Sequence, residues 1–201
     1  MKTLLKTYII LNLILSICYS QTNDNLGDPR RGLKDAIENY KIGEYKEAFD
    51  KFSSLSENFP SSGYNSIFRI MAAKSIYHSG DNEQALLLLD KYLLDFPNST
   101  YRGTALLYRG HCYYRLGKLD NSAAEYMKAI DNNSRDKCAS IAKDNLKPLV
   151  ESGLSLEQLS SLILQLPTNS ETGYLQFSLG RRQAQSGRYR EARKTFAAYL
   201  R

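Results

Sequence analysis

Between Ala105 and Ile130 the chain reads ALLYRGHCYYRLGKLDNSAAEYMKAI, with small and apolar residues returning every three or four positions on either side of a break at Gly117 and Lys118. Leu106, Gly110 and Tyr113 share one face of a first helix. Leu119, Ala123, Tyr126 and Ile130 share one face of a second, so the stretch predicts a helical hairpin. Gly110 and Ser122 carry little bulk and fall where two helix backbones must approach closely. The pattern recurs: Gly80 precedes Gly117 by 37 residues and Gly43 precedes Gly80 by 37, with Ala85 and Ala48 at the matching points of their second helices. Gly153 and Gly187 follow after 36 and 34 residues, and Gly180, Tyr189, Ala192 and Phe196 repeat the alternation of small and large. The reading is an all-α chain of about five antiparallel helix hairpins, over about residues 33–60, 64–97, 101–133, 136–167 and 171–201. Around Gly153 the pattern departs, because Ser155, Leu159 and Leu162 stand where aromatic and alanine residues stand elsewhere.

The turns support this punctuation. FPSSGY from Phe59 and FPNSTY from Phe96 place a proline that ends a helix ahead of serine and asparagine suited to a turn and to the cap of the next helix. Tyr64 and Tyr101 are expected to fold back against the stack. DNNSRD, from Asp131 to Asp136, breaks the rhythm, and Pro148 predicts a bend or a fresh start within the helix that follows. Ser155-Leu156-Glu157-Gln158 reads as a capped helix start. Asn98-Ser99-Thr100 and Asn132-Asn133-Ser134 match the glycosylation sequon but read as turns.

Gly43, Tyr45, Ala48, Phe52 and Pro60, then Gly80, Ala85, Leu89 and Pro97, then Gly110, Tyr113, Gly117 and Tyr126, then Gly180, Gly187, Tyr189, Ala192 and Phe196 together resemble the tetratricopeptide repeat (TPR). The resemblance runs from about Asp28 to Arg201 and implies a right-handed superhelix of stacked hairpins, a TPR-like solenoid, whose first helices line a concave face that binds partner segments. The paired FPxSxY turns in an exported chain are similar to the repeat domains of outer-membrane assembly lipoproteins and of the Tol-Pal-associated cell-division coordinator. LSLEQLSSLILQLP followed by a last hairpin is similar to the N-terminal helical region of penicillin-binding-protein activators, in which a periplasmic small-ligand-binding domain follows. No polar closing helix follows Tyr199-Leu200-Arg201, which favours that alternative, a longer ligand-binding or activator protein.

The N-terminus reads as a targeting segment. Lys2 and Lys6 precede an apolar run from Thr7 to Ile17, and Cys18-Tyr19-Ser20 brings small residues before Gln21, so residues 1–20 are expected to be a signal peptide and 21–32 a polar linker. Lipidation at Cys18 is the competing reading, opposed by the bulky Ile17, and the only route by which membrane association is expected. The destination implied is the periplasm or cell envelope, with the outer membrane as a further option.

Charge then changes the picture at one end. The formal net charge is +6, but seven basic residues against Glu191 lie between Arg181 and Arg201, and the stretch from Gln21 to Gly180 is slightly acidic. Arg181, Arg182, Arg188, Arg190 and Arg193 form a candidate basic patch for an acidic partner or anionic surface; a solvated helix face is the plainer reading. Export makes nucleic acid an unsuited partner. Cys112 and Cys138 sit at different heights on adjacent first helices and read as unbridged, buried, small apolar residues.

Catalytic chemistry finds no foothold. The two histidines, His78 and His111, lack HExxH, CxxC or acidic companions at ligand spacing, so no metal or cofactor is expected, and GxxxxGK[ST], GxGxxG and GxSxG are all missing. What remains is a ladder. Tyr40, Tyr77 and Tyr114 each stand three residues before a hairpin glycine and are followed by Lys41, His78 and Arg115. With His111 they form a candidate groove for a protein or peptide partner of the cell envelope, held through rings and carboxylates. Rings at this spacing also pack as core between hairpins. The function expected is that of a non-catalytic protein-binding scaffold.

Overall fold

The structure is a computed structural model that describes residues 28–133, 136–166 and 170–200. The signal segment with Cys18, most of the linker, and Arg201 lie outside the described residues. Among those described, the elements are all helices: α1 (Pro29–Ile42), α2 (Tyr45–Asn58), α3 (Asn65–Ser79), α4 (Asn82–Asp95), α5 (Arg102–Arg115), α6 (Leu119–Asn132), α7 (Lys137–Pro148), a π-helical turn (Leu149–Gly153), α8 (Leu156–Gln165), α9 (Ser170–Gln185) and α10 (Tyr189–Tyr199). The all-α, TPR-like reading holds. Two compact units divide within α3, between Ala72 and Ala73.

The helix ends show why these segments stop where they do. Gly43, Gly80, Gly117 and Gly187 all adopt left-handed backbone, with φ of 87°, 100°, 72° and 79°. After α5 the Gly117 amide donates to the Tyr114 carbonyl at 3.0 Å and the Lys118 amide to Tyr113 at 2.9 Å, which satisfies carbonyls that the helix itself leaves open. The same pair of bonds closes α1 at Gly43 and α9 at Gly187. A side chain with a Cβ would resist that φ, so the spacing of these glycines sets the spacing of the hairpins.

In the first unit, α1 packs on α2, and Ala36, Ala48, Phe52, Leu55, Phe68 and Ala72 form its core. The FPSSGY turn works as read. The Asn65 side-chain amide donates to the Ser56 and Phe59 carbonyls at 3.0 and 3.2 Å, and the Tyr64 amide donates to Ser62 Oγ. Tyr64 folds back onto Phe68, ring centroids 6.3 Å apart. In the second unit, Ser99 repeats the role of Ser62, accepting from the Tyr101 amide and sharing a 2.6 Å bond with the Tyr92 hydroxyl. Tyr101 itself stays exposed.

The second unit builds its main core from α5 to α9, around Leu106, Tyr126, Met127, Ile130, Leu146, Val150, Leu159 and Leu175. A Cβ placed on Gly110 would lie 2.4 Å from the Tyr126 ring, so the bare α5 backbone rests on that ring. Beside it the buried Ser122 hydroxyl donates to the Gly110 carbonyl at 2.8 Å. Gly180 of α9 meets Phe196 of α10 in the same way, its added Cβ falling 2.8 Å away.

The region around Gly153 departs from the other hairpins, and the structure supplies the reason. Pro148 ends α7 and the chain widens into the π-helical turn, in which the Leu154 amide reaches the Leu149 carbonyl at 2.8 Å. Gly153 lies inside that turn and is absent from the left-handed glycines, so it is no counterpart of Gly117. Arg182 of α9 donates to the Val150 and Leu154 carbonyls at 3.0 and 2.6 Å, giving partners to carbonyls in and just after the turn. Ser155 and Gln158 then form the capping box that starts α8.

The Gly110 contact yields a direct test. Gly110→Ala forces a methyl into a ring that is itself 1% exposed, and is expected to cost about 1–3 kcal/mol in urea unfolding with unchanged helical content. A loss below about 0.5 kcal/mol would mean that the two helices can separate freely at this point.

Candidate functional site

The last turns of α3 and the length of α5 present their polar and aromatic side chains together. Lys74, Tyr77 and His78 recur at helical spacing on α3, and Tyr108, His111 and Arg115 do so on α5. Tyr77 and Tyr108 meet edge to face at 5.1 Å between centroids, and His78 Nε2 lies 3.4 Å from the Tyr108 hydroxyl. His111 stands 5.6 Å from the Tyr108 ring and 5.9 Å from that of Tyr77. Its Nδ1 shares a 2.8 Å hydrogen bond with the Tyr126 hydroxyl, which ties the surface cluster to the Gly110 contact beneath.

Two cations sit on these rings. The Arg115 guanidinium lies 4.0 Å from the Tyr77 centroid and donates to the Tyr77 carbonyl at 3.1 Å, and Lys74 Nζ lies 5.4 Å from the Tyr108 centroid. Burial pushes Lys74 below its ordinary pKa. It also lowers His78, helped by the positive charges of Lys74 and Arg115. His111 falls to about 4, through burial first and then through Arg115 and His78. Burial raises the phenols of Tyr77 and Tyr126, the latter to about 12. At neutral pH the cluster is therefore uncharged imidazole and phenol beneath two cations.

The residues singled out from the sequence fall into different places. Tyr77, His78, His111 and Arg115 come together. Tyr77 is 9% exposed and serves packing, whereas Tyr114 is 55% exposed. In the first unit Tyr40 is half-buried, edge-on to Tyr45 at 5.5 Å, and the exposed Lys41 pairs with Glu38 at 3.2 Å. Among the basic residues, Arg182 is spent on the π-helical turn, Arg188 pairs with Glu157 and Glu191, and Arg181, Arg190 and Arg193 are exposed. Cys112 and Cys138 are free thiols. Cys112 is buried and pushed up to about 12, but Cys138 is only half-buried, its Sγ 3.4 Å from Thr104 Oγ1. Sequence reading missed Lys74 and Tyr108 because it followed the ladder between hairpins; the signal was the three-residue step within each helix, from Lys74 to Tyr77 and from Tyr108 to His111.

The model of the YfiO family, described as outer membrane lipoprotein, matches residues 28–169, more than half of the chain. The chain belongs to the YfiO family. This places the paired FPxSxY turns, α5, α6 and the π-helical turn inside the family's matched region, and leaves α9 and α10, the whole basic terminal hairpin, beyond it. Among curated proteins, none matches this chain in sequence. Solved structures that it resembles include the TPR-like repeats of a P. anserina kinesin light chain, at 12% identity and TM-score 0.53, covering 87% of this chain and 95% of that one. The first TPR domain of human RPAP3 aligns at 16% identity and TM-score 0.52, covering 69% and 97%, and the TPR domain of Arabidopsis OM64 at 20% and 0.50, covering 60% and 94%. Identities this low establish the fold alone. No helix among the described residues is long and apolar enough to cross a membrane.

The depressed histidines give a pH dependence with a definite sign. His111 binds a proton more weakly folded than unfolded, so the unfolded chain takes up protons first as pH falls from about 6.5 toward 4. Its contribution to stability is complete above that window and is lost within it, by about 1–2 kcal/mol after allowance for partial exposure. Urea unfolding at about pH 7 and about pH 4.5 is expected to show a smaller fall for His111→Gln than for the unaltered chain. Equal falls would show that His111 does not titrate abnormally.

Proposed function

We propose that this chain is a non-catalytic protein-binding scaffold of the cell envelope, and that it holds a partner segment across the α3 and α5 side chains around Tyr108, His111 and Tyr114. The observation that carries the reading is the division of labour on α5. Leu106, Leu107 and Cys112 are buried, whereas Tyr108 and His111 are half-buried and Tyr114 and Arg115 exposed. A tyrosine ring left open beside two cation-bearing rings offers apolar area together with donors at low cost in side-chain entropy, the composition of protein recognition surfaces. Membership of a family described as outer membrane lipoprotein supports the envelope setting, and the TPR fold supports a protein partner. Tyr77 serves as packing in this reading, and recognition falls to its half-buried and exposed neighbours.

A photo-crosslinking residue at Tyr114 tests this in cells, with the same residue at the exposed Leu87 of α4 as the control. The expected result is a discrete adduct from position 114 and none from 87. Tyr114→Ser should lower capture of that partner by untagged competitor at least about fivefold, with stability unchanged within about 0.5 kcal/mol. Equal adducts from both positions, or none from 114, would contradict the proposal.

A further inference from the structure

We propose that the segment bound at this surface is an acidic one, a peptide stretch that alternates carboxylate and aromatic or large apolar side chains, its carboxylates meeting Arg115 and Lys74 and its apolar side chains meeting Tyr108 and Tyr114. The inference rests on the groove reading above and gives it a chemistry. Two cations lie over neighbouring rings, Arg115 on Tyr77 and Lys74 on Tyr108, so positive charge and ring faces alternate along the two helices. Beyond burial, the charges that act on His78 and His111 are cationic, those of Lys74 and Arg115 on the first and of Arg115 and His78 on the second. Two imidazoles are thus held neutral in a positive field, and a carboxylate arriving there meets the two cations that create it.

The recess favours a slim chain over a lipid surface. His78, Tyr108, His111 and Lys74 are all half-buried, a depth to which a flat array of headgroups cannot follow. A peptide side chain can. Arg181, Arg188, Arg190 and Arg193 of the terminal hairpin, which are exposed, are no part of this surface.

Fluorescence anisotropy with the purified chain tests the proposal. The probes are a labelled hexapeptide of alternating glutamate and phenylalanine, its glutamine and phenylalanine counterpart, and phosphatidylglycerol vesicles. The glutamate peptide is expected to bind about tenfold more tightly than the glutamine peptide at low ionic strength, and to lose most of that advantage at high salt. Arg115→Gln should weaken the glutamate peptide about fivefold and leave the glutamine peptide unchanged, a selectivity that a merely structural role would not produce. The His78 resonance should titrate at higher pH with the glutamate peptide bound, since a bound anion favours imidazolium. The salt response of the unaltered chain needs no variant and stands even if Arg115→Gln unfolds it.

Equal binding of both peptides, with binding lost in Tyr114→Ser, would overturn the acidic reading and leave the groove reading in place. Binding of neither peptide, or of the vesicles alone, would also overturn it, and the adduct at position 114 would then decide the groove reading by itself.

Discussion

The contact on which the structure depends is that of a bare helix backbone with a ring sixteen residues later. Gly110 lies on Tyr126 and Gly180 on Phe196, and at the same separation Ala36 and Phe52, and Ala73 and Leu89, are fully buried. Removing a side chain from the first helix lets the second approach, and the ring from the second fills the space a side chain would have occupied. The residue twelve positions after the small one, Ala48, Ala85, Ser122 or Ala192, is small as well and buried. These four hairpins are thereby fixed in rotation as well as in distance, because only one face of each first helix carries the small residue.

That rotation decides what remains outside. With Gly110 and Cys112 turned inward, Tyr108, His111 and Arg115 of α5 turn toward the end of α3, where Tyr77 and His78 stand. Tyr126 has a part on both sides, with its ring under Gly110 and its hydroxyl bonded to His111. The cluster is therefore held in place by the core. Two cations and two neutral imidazoles held close together carry a cost in stability at acid pH.

Much of this was legible in the chain itself. Gly43, Gly80 and Gly117 at intervals of 37 residues, and Gly187, marked the left-handed turns, since few other residues accept that backbone, and Ala48, Ala85 and Ser122 marked the close approaches. The interval from Gly117 to Gly153 misled, because Gly153 keeps nearly the right spacing while the helix ends at Pro148 and passes into a π-helical turn. Nothing local to that turn announces that Arg182, about thirty residues later, completes its hydrogen bonds. The tyrosine ladder marked equivalent positions on three first helices but not the roles within them. Tyr40, Tyr77 and Tyr114 are equivalent in sequence yet half-buried, buried and exposed in turn, because exposure depends on the neighbours each helix meets and not on its own period.

A double-mutant cycle between Gly110→Ala and Tyr126→Leu, read by urea unfolding, tests the central contact most directly. If backbone and ring interlock, a smaller side chain at 126 makes room for the methyl at 110, and the double variant should lose at least about 1 kcal/mol less than the two single losses combined. Losses that add within about 0.5 kcal/mol would show that the two positions do not share a contact, and the account of how the hairpins are fixed would fail.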